Sequence, residues 1–206
     1  MEKNLNTYSK FLINQAKTVL ETLEVFPLWE KHHGQVYLVG ALAYDLAVIQ
    51  DIDLEIFCNH PTIEAGFDVL QHCAKKPGCL ASRFRNEMAG PDQGYYWQVQ
   101  YRQANGLLWK IDMWSVHVDH PGPTSRDMIE PMLRILNQDN RNIILNLKHD
   151  LQNDPQTECA SIDLYQAVLA DGVSSFEELK IWMKSHQYSK INDWRHWLLS
   201  IDRKSA

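Results

Sequence analysis

The chain is 206 residues long, 45% hydrophobic and 22% charged, which suits a globular protein of one large or two small domains. Its formal net charge of −6 argues against a protein that grips duplex nucleic acid, because neutralising phosphates takes a basic face and here acids outnumber bases 26 to 20. No apolar run reaches the roughly eighteen residues of a membrane span, and Met1 to Thr7 lacks the basic head and apolar core of a signal peptide.

The four cysteines (Cys58, Cys73, Cys79 and Cys159) show no CxxC spacing and read as reduced, mostly buried thiols of a cytoplasmic protein. In chain order, a helix is expected over residues 6 to 31, with Phe11, Leu12, Ala16, Val19, Leu20 and Leu23 at helical spacing and a break near Pro27. Val36 to Val39 forms a strand that stops at Gly40, and a short helix fills Leu42 to Ile49. A second strand covers Ile52 to Cys58, and Pro61-Thr62 opens a helix over Ile63 to Ala74 that Pro77-Gly78 stops. Leu80 to Glu87 and Tyr95 to Arg102 read as strands, and Asn105-Gly106 is a two-residue hairpin turn into a strand over Leu107 to Val116. From Pro121 the pattern becomes helical, with a segment from Met128 to Asp150 and a short helix from Ser161 to Ala170 capped by Gly172. Ser175 and Glu178 form a capping box for a helix reaching about His186, and a last helix spans Asn192 to Ile201.

The chemistry concentrates in three acids. Asp51 and Asp53 lie two positions apart on a strand, so they project to one face. Adjacent carboxylates repel unless a cation sits between them or one takes a proton, and magnesium favours one or two carboxylates plus phosphate oxygens. Asp112 adds a third acid on another apolar strand. Lys110 shares the face of Asp112 and is placed either to touch a phosphate or to pair with the acids. The turn at Gly40-Ala41 offers backbone donors, with glycine allowing close approach to phosphate oxygens.

These pieces, Val39-Gly40-Ala41, Asp51-Ile52-Asp53-Leu54 and Ile111-Asp112-Met113, resemble the nucleotidyltransferase superfamily that includes DNA polymerase beta. The resemblance covers roughly residues 34 to 116 and implies an α+β fold. A small mixed sheet with flanking helices (residues 1–120) would precede an all-helical C-terminal domain (residues 121–206). It implies that Asp51, Asp53 and Asp112 hold Mg2+ and catalyse transfer of a nucleoside monophosphate, AMP from ATP, to a small-molecule or protein acceptor. Ala41 departs from the family's serine, which removes a hydroxyl that helps to hold the terminal phosphate. The alternative is therefore a degenerate module of the same fold that binds nucleotide without turnover. Runs around Asp139 to Lys148 and Ile162 to Val173 resemble the helical tails of uncharacterised bacterial nucleotidyltransferase-like proteins. In the superfamily basic residues from such helices close over the triphosphate, a role open here to Arg141 and Lys148, which are seven residues apart on one helix face; a solvated basic stripe is the other reading of the pair.

Other features have structural readings. His117, Asp119 and His120 read as a polar strand terminus, His32-His33 as a loop, and Tyr95, Tyr96, Trp97, Tyr101, Trp109 and Trp114 as sheet packing. Glu55 continues the alternation of the acids as a distal member of their face.

Overall fold

The structure, a computed structural model, describes residues 4–186 and 193–205. Helix α1 (Leu5–Thr22) starts at Asn4, whose side chain accepts from the Thr7 N–H, and buries Leu12, Ala16, Val19 and Leu20. The chain breaks before Pro27 rather than at it: Glu24 adopts left-handed backbone (φ 56°), and α2 (Val25–Lys31) follows. Pro27 sits in the first turn of α2, where a missing N–H removes no helical hydrogen bond.

Five strands make one mixed sheet in the order β1-β2-β5-β4-β3: β1 (Gln35–Val39), β2 (Asp51–Cys58), β3 (Cys79–Asn86), β4 (Gly94–Arg102) and β5 (Leu108–His117). β2 and β5 run parallel, and every other neighbouring pair is antiparallel. Helix α4 (Ile63–Ala74), capped by Thr62, joins α1 and α2 over one face. That face is closed by a core holding Trp29, Ile52, Leu54, Trp97, Trp109, Ile111 and Met113.

Two local readings in this half need correction. The helix after β1 is a single turn, α3 (Gly40–Ala43), and does not extend to Ile49. The β4–β5 hairpin closes through a three-residue loop, Ala104 to Gly106: Gln103 N–H donates to the Leu107 carbonyl and Gly106 N–H to the Gln103 carbonyl, both at 2.9 Å. Gly106 takes φ +87°, the left-handed residue that completes such a loop. A two-residue turn at Asn105-Gly106 would set Asp112 opposite Val99; the observed register sets it opposite Gln98.

The second half is helical: α5 (Ser125–Ile135), α6 (Gln138–Asn153), α7 (Ser161–Leu169), α8 (Phe176–Ser185) and α9 (Arg195–Ser205). The segment from Met128 to Asp150 is two helices, because Asn137 caps α6 in a reciprocal box with Asn140, whose amide also donates to the Ile135 carbonyl and closes α5. Ser175 caps α8 as expected, but Glu178 returns its carboxylate to the Ser174 N–H and hydroxyl rather than to Ser175. The expected start of the last helix at Asn192 lies outside the described residues. Tyr44, Leu46 and Val48, from the segment between α3 and β2, pack into the core of these helices with Met132, Ile144, Leu164, Tyr165 and Leu198. Among the described residues no helix is long and apolar enough to cross a membrane.

Candidate active site

The register of the parallel pair assembles the acids. Asp53 lies opposite Asp112, and Asp51 lies opposite Lys110, all on the face that α1, α2 and α4 leave free. One oxygen from each of Asp51, Asp53 and Asp112 falls within 4.8 Å of the others. The Lys110 ammonium bridges the cluster, 3.0 Å from Asp51 Oδ2 and 3.1 Å from Asp112 Oδ2, so the pairing reading of Lys110 describes this state. Asp112 Oδ1 accepts from the Tyr96 hydroxyl at 2.8 Å and the Gln98 amide at 3.0 Å. Gln98 also donates to the Tyr96 oxygen at 2.7 Å.

Gly40 sits directly over Asp53. Its φ is +67°, and a Cβ there would overlap the Asp53 carboxylate. The acid itself therefore requires glycine at this turn, besides any phosphate.

The cluster is strained electrostatically. Burial pushes the Asp53 carboxyl up to about 7, with the charges of Asp51 and Asp112 adding to the rise. Burial raises Asp51 as well, against the pull of Lys110. Burial works to lower Lys110, yet its bonds to Asp51 and Asp112 hold it above the ordinary lysine range. Asp51 Oδ1 is buried with no hydrogen-bond partner. Three hard oxygens, an orphaned carboxylate oxygen and a carboxyl that resists ionisation form a donor set that fits a divalent cation such as Mg2+.

A cavity of about 190 Å3 lies between this face and the helices, lined by Gly40, Ala41, Tyr44, Asp51, Asp53, Lys148, Ser161 and Tyr165 among others. Lys148 comes from α6, hydrogen-bonds Ser161 at the start of α7 at 3.2 Å, and stands 5.3 Å from the Tyr165 ring centre. Burial lowers its ammonium to about 8, opposed by Asp53 and Asp51. Arg141 is placed otherwise: its guanidinium donates to the Tyr44 carbonyl and does not line the cavity. Of the eight site residues named from sequence, seven therefore gather here, and Arg141 instead holds the carbonyl of Tyr44 at the end of α3.

Several residues take roles other than those read from sequence. Tyr96 and Trp114, grouped with the packing aromatics, lie on the acid face, 5.1 Å apart. Glu55 lies two positions beyond Asp53 and spends both oxygens on α5, accepting from the Ser125 and Arg126 N–H groups at 2.8 Å each. Its carboxylate thus docks the helical half onto β2 through a helix N-terminus. The alternation Asp51, Asp53, Glu55 was visible; the helix it receives was not.

No protein-family model matches the chain, and no curated protein matches its sequence. Solved structures do. One described as a cytoplasmic RNA terminal U-transferase aligns with TM-score 0.54 at 12% identity, over 99% of this chain and 72% of that one. The STING-associated CdnE c-di-GMP synthase from Capnocytophaga granulosa aligns with TM-score 0.52 at 12% identity, over 100% and 85%. Both are members of the nucleotidyltransferase superfamily with a polymerase beta-like fold. This chain has the nucleotidyltransferase fold. It spans only about half the length of other matched structures, 52% of a Cid1 RNA terminal uridylyl transferase at TM-score 0.53 and 15% identity. Within this nucleotidyltransferase fold, the five-stranded mixed sheet supplies the acids and the following helices supply Lys148 and Ser161.

Proposed function

We propose that the chain transfers a nucleoside monophosphate, adenylate from ATP, to a small-molecule or protein acceptor in a Mg2+-dependent reaction. The observation that carries this reading is the juxtaposition of Asp51, Asp53 and Asp112 with the Gly40-Ala41 turn and Lys148 around one cavity. Asp51 and Asp53 would hold the metal, with Asp51 Oδ1 the free donor. Bound there, the ion would neutralise charge on the triphosphate and on the transferring phosphorus.

The chain's own groups divide the remaining work. Lys148 and the Ser161 hydroxyl, held together across α6 and α7, face the acids and suit phosphate oxygens. The backbone N–H groups at Gly40-Ala41 supply further donors. Asp112, on the neighbouring strand, either shares the ion or accepts the acceptor hydroxyl's proton. Tyr96 and Gln98 fix its Oδ1, and its Oδ2, paired with Lys110 in this state, is the oxygen that would turn to the metal or the acceptor.

A second cavity, of about 220 Å3, adjoins the first at Ser125 and is walled by Glu55, Trp114, Pro91, Pro123, Asp92 and His120. Its size suits a ring-bearing group, and its carboxylates disfavour a polyanion, in keeping with the net charge of −6. Four unpaired cysteines support a reducing, cytoplasmic setting.

The test is thermal melting with a panel of nucleoside triphosphates, each with and without magnesium, because a ligand that binds only the folded state raises the melting temperature. A shift that needs both components supports the donor half and opens an acceptor screen. No shift with any nucleotide refutes it. Ala41 favours a second reading, a module that holds nucleotide without turnover; stoichiometric binding with no pyrophosphate release across the acceptor screen would select it.

A further inference from the structure

Among the described residues, three buried side-chain oxygen or nitrogen atoms have no hydrogen-bond partner: Tyr44 Oη, Asp51 Oδ1 and Tyr165 Oη. All three residues line the same cavity. Such atoms are rare in folded proteins, and each calls for an explanation. A cation explains Asp51. It does not explain the phenols, which are donors.

Tyr44 is 1% exposed and Tyr165 3%, and their rings meet edge to face with centres 6.0 Å apart. Tyr44 closes the single turn α3 that begins at Gly40-Ala41, and Tyr165 lies one turn of α7 beyond Ser161. Both residues line the cavity, Tyr44 from the segment after β1 and Tyr165 from the helical half, and their rings touch. The anionic neighbours are the acids that would hold the cation, with Asp53 acting on both phenols, and the Ser161 hydroxyl lies close to Tyr165. Glu55 gives both oxygens to α5, and the Ser161 hydroxyl meets Lys148. Burial raises the Tyr44 hydroxyl well beyond the ordinary tyrosine range, so it stays protonated and donates. Two neutral donors beside an ammonium and a bare backbone turn are complementary to anionic oxygens.

We propose that Tyr44 and Tyr165 donate hydrogen bonds to the phosphate chain of the bound triphosphate, supplying the hydroxyl contact that Ala41 cannot make. This rests on the reading of the cavity as a triphosphate site. The recognised group is the polyphosphate, not the sugar or the base.

The substitutions are Tyr44→Phe and Tyr165→Phe, which keep ring and packing and remove only the hydroxyl. Two quantities are read on the full chain: apo stability by urea denaturation, and affinity for Mg-ATP and for Mg-tripolyphosphate by calorimetry. Each variant is expected to be as stable as the parent or more so, since an unpartnered buried group is lost. Each should bind both probes about tenfold more weakly, the loss of one hydrogen bond to a charged group. Adding Ala41→Ser to Tyr44→Phe should recover more affinity than Ala41→Ser adds to the parent, the coupling expected of interchangeable hydroxyls.

If the parent binds neither probe, the triphosphate reading falls and the phenol proposal falls with it. If the parent binds and the Phe variants bind equally well, the proposal alone is refuted. Loss of ATP affinity with tripolyphosphate affinity intact would assign the phenols to the sugar and overturn it. A drop in apo stability with unchanged affinity would reduce them to packing.

Discussion

Asp53→Asn tests the electrostatics of the acid cluster through folding stability, with no ligand present. The Asp53 carboxyl titrates at about 7 in the folded chain, against 3.8 for an unburied aspartate. The gap is about three units, and each unit corresponds to about 1.4 kcal/mol, so ionised Asp53 destabilises the parent at pH 8 by at most about 4 kcal/mol. Between these two values the folded state holds a proton that the unfolded chain has lost. Parental stability from this group is therefore fullest below pH 4 and is lost as pH rises toward 7. At pH 5 the folded carboxyl is still protonated, and less than about half of the penalty has developed. Asparagine never ionises, so the variant escapes the penalty at every pH. Relaxation and water entry lower the measured value, and we expect a gain of about 1–3 kcal/mol at pH 8 that shrinks by at least half at pH 5. Urea denaturation of parent and variant at the two pH values reads it directly. A variant less stable than the parent at pH 8, or a gain independent of pH, would refute the account of Asp53 as a buried carboxylate held against its neighbours. The same variant should lose Mg2+-dependent nucleotide binding.

Lys148→Met should weaken Mg-ATP binding at least tenfold, about 1.4 kcal/mol, while leaving apo stability equal or higher, because a buried ammonium is costly. The parent's affinity should also decline between pH 8 and 9.5 as Lys148, lowered to about 8, gives up its proton; calorimetry across that range checks both. Gly40→Ala forces a side chain into left-handed backbone and against the Asp53 carboxylate, and is expected to cost about 2–4 kcal/mol by denaturation and to abolish metal-dependent binding. Glu55→Gln replaces one of the two carboxylate oxygens that each accept an N–H with an NH2 group, a donor set against a donor. A loss of about 1–2 kcal/mol by urea denaturation is the expected outcome, with α5 as the element that loosens.

Where the fold was legible, the signal was local. The strand ending at Gly40, the Asp51/Asp53 alternation and the helix between Thr62 and Lys75 follow from pleat, period and caps within ten or so residues. Where it was misread, a single residue's backbone decided the outcome. Glu24 in left-handed backbone ends α1 without any proline or glycine to announce it. Asn137 reads equally well as the interior of a long helix or as a cap, and only Asn140 placed three residues on tips the balance.

The site separates along the same line. Asp51, Asp53, Asp112, Lys110 and Gly40 needed only strand alternation and one sheet face to be found. Tyr96 and Gln98 needed the register of the β4–β5 hairpin, and a one-residue difference in loop length swaps every side chain that faces Asp112. Arg141 and Lys148 share a helix face, yet they stand about two turns apart along α6, and Lys148 lines the cavity with the acids while Arg141 holds the Tyr44 carbonyl. Periodicity reports which residues lie together on a helix; it carries nothing about where along the helix a neighbour begins. Tyr44 shows the limit most sharply. In sequence it is one aromatic after a glycine turn, and its burial among helices from the other end of the chain is what leaves its hydroxyl unpaired. An unsatisfied atom is a property of all the elements packed around it, so the state of the Tyr44 hydroxyl exists only in the folded chain.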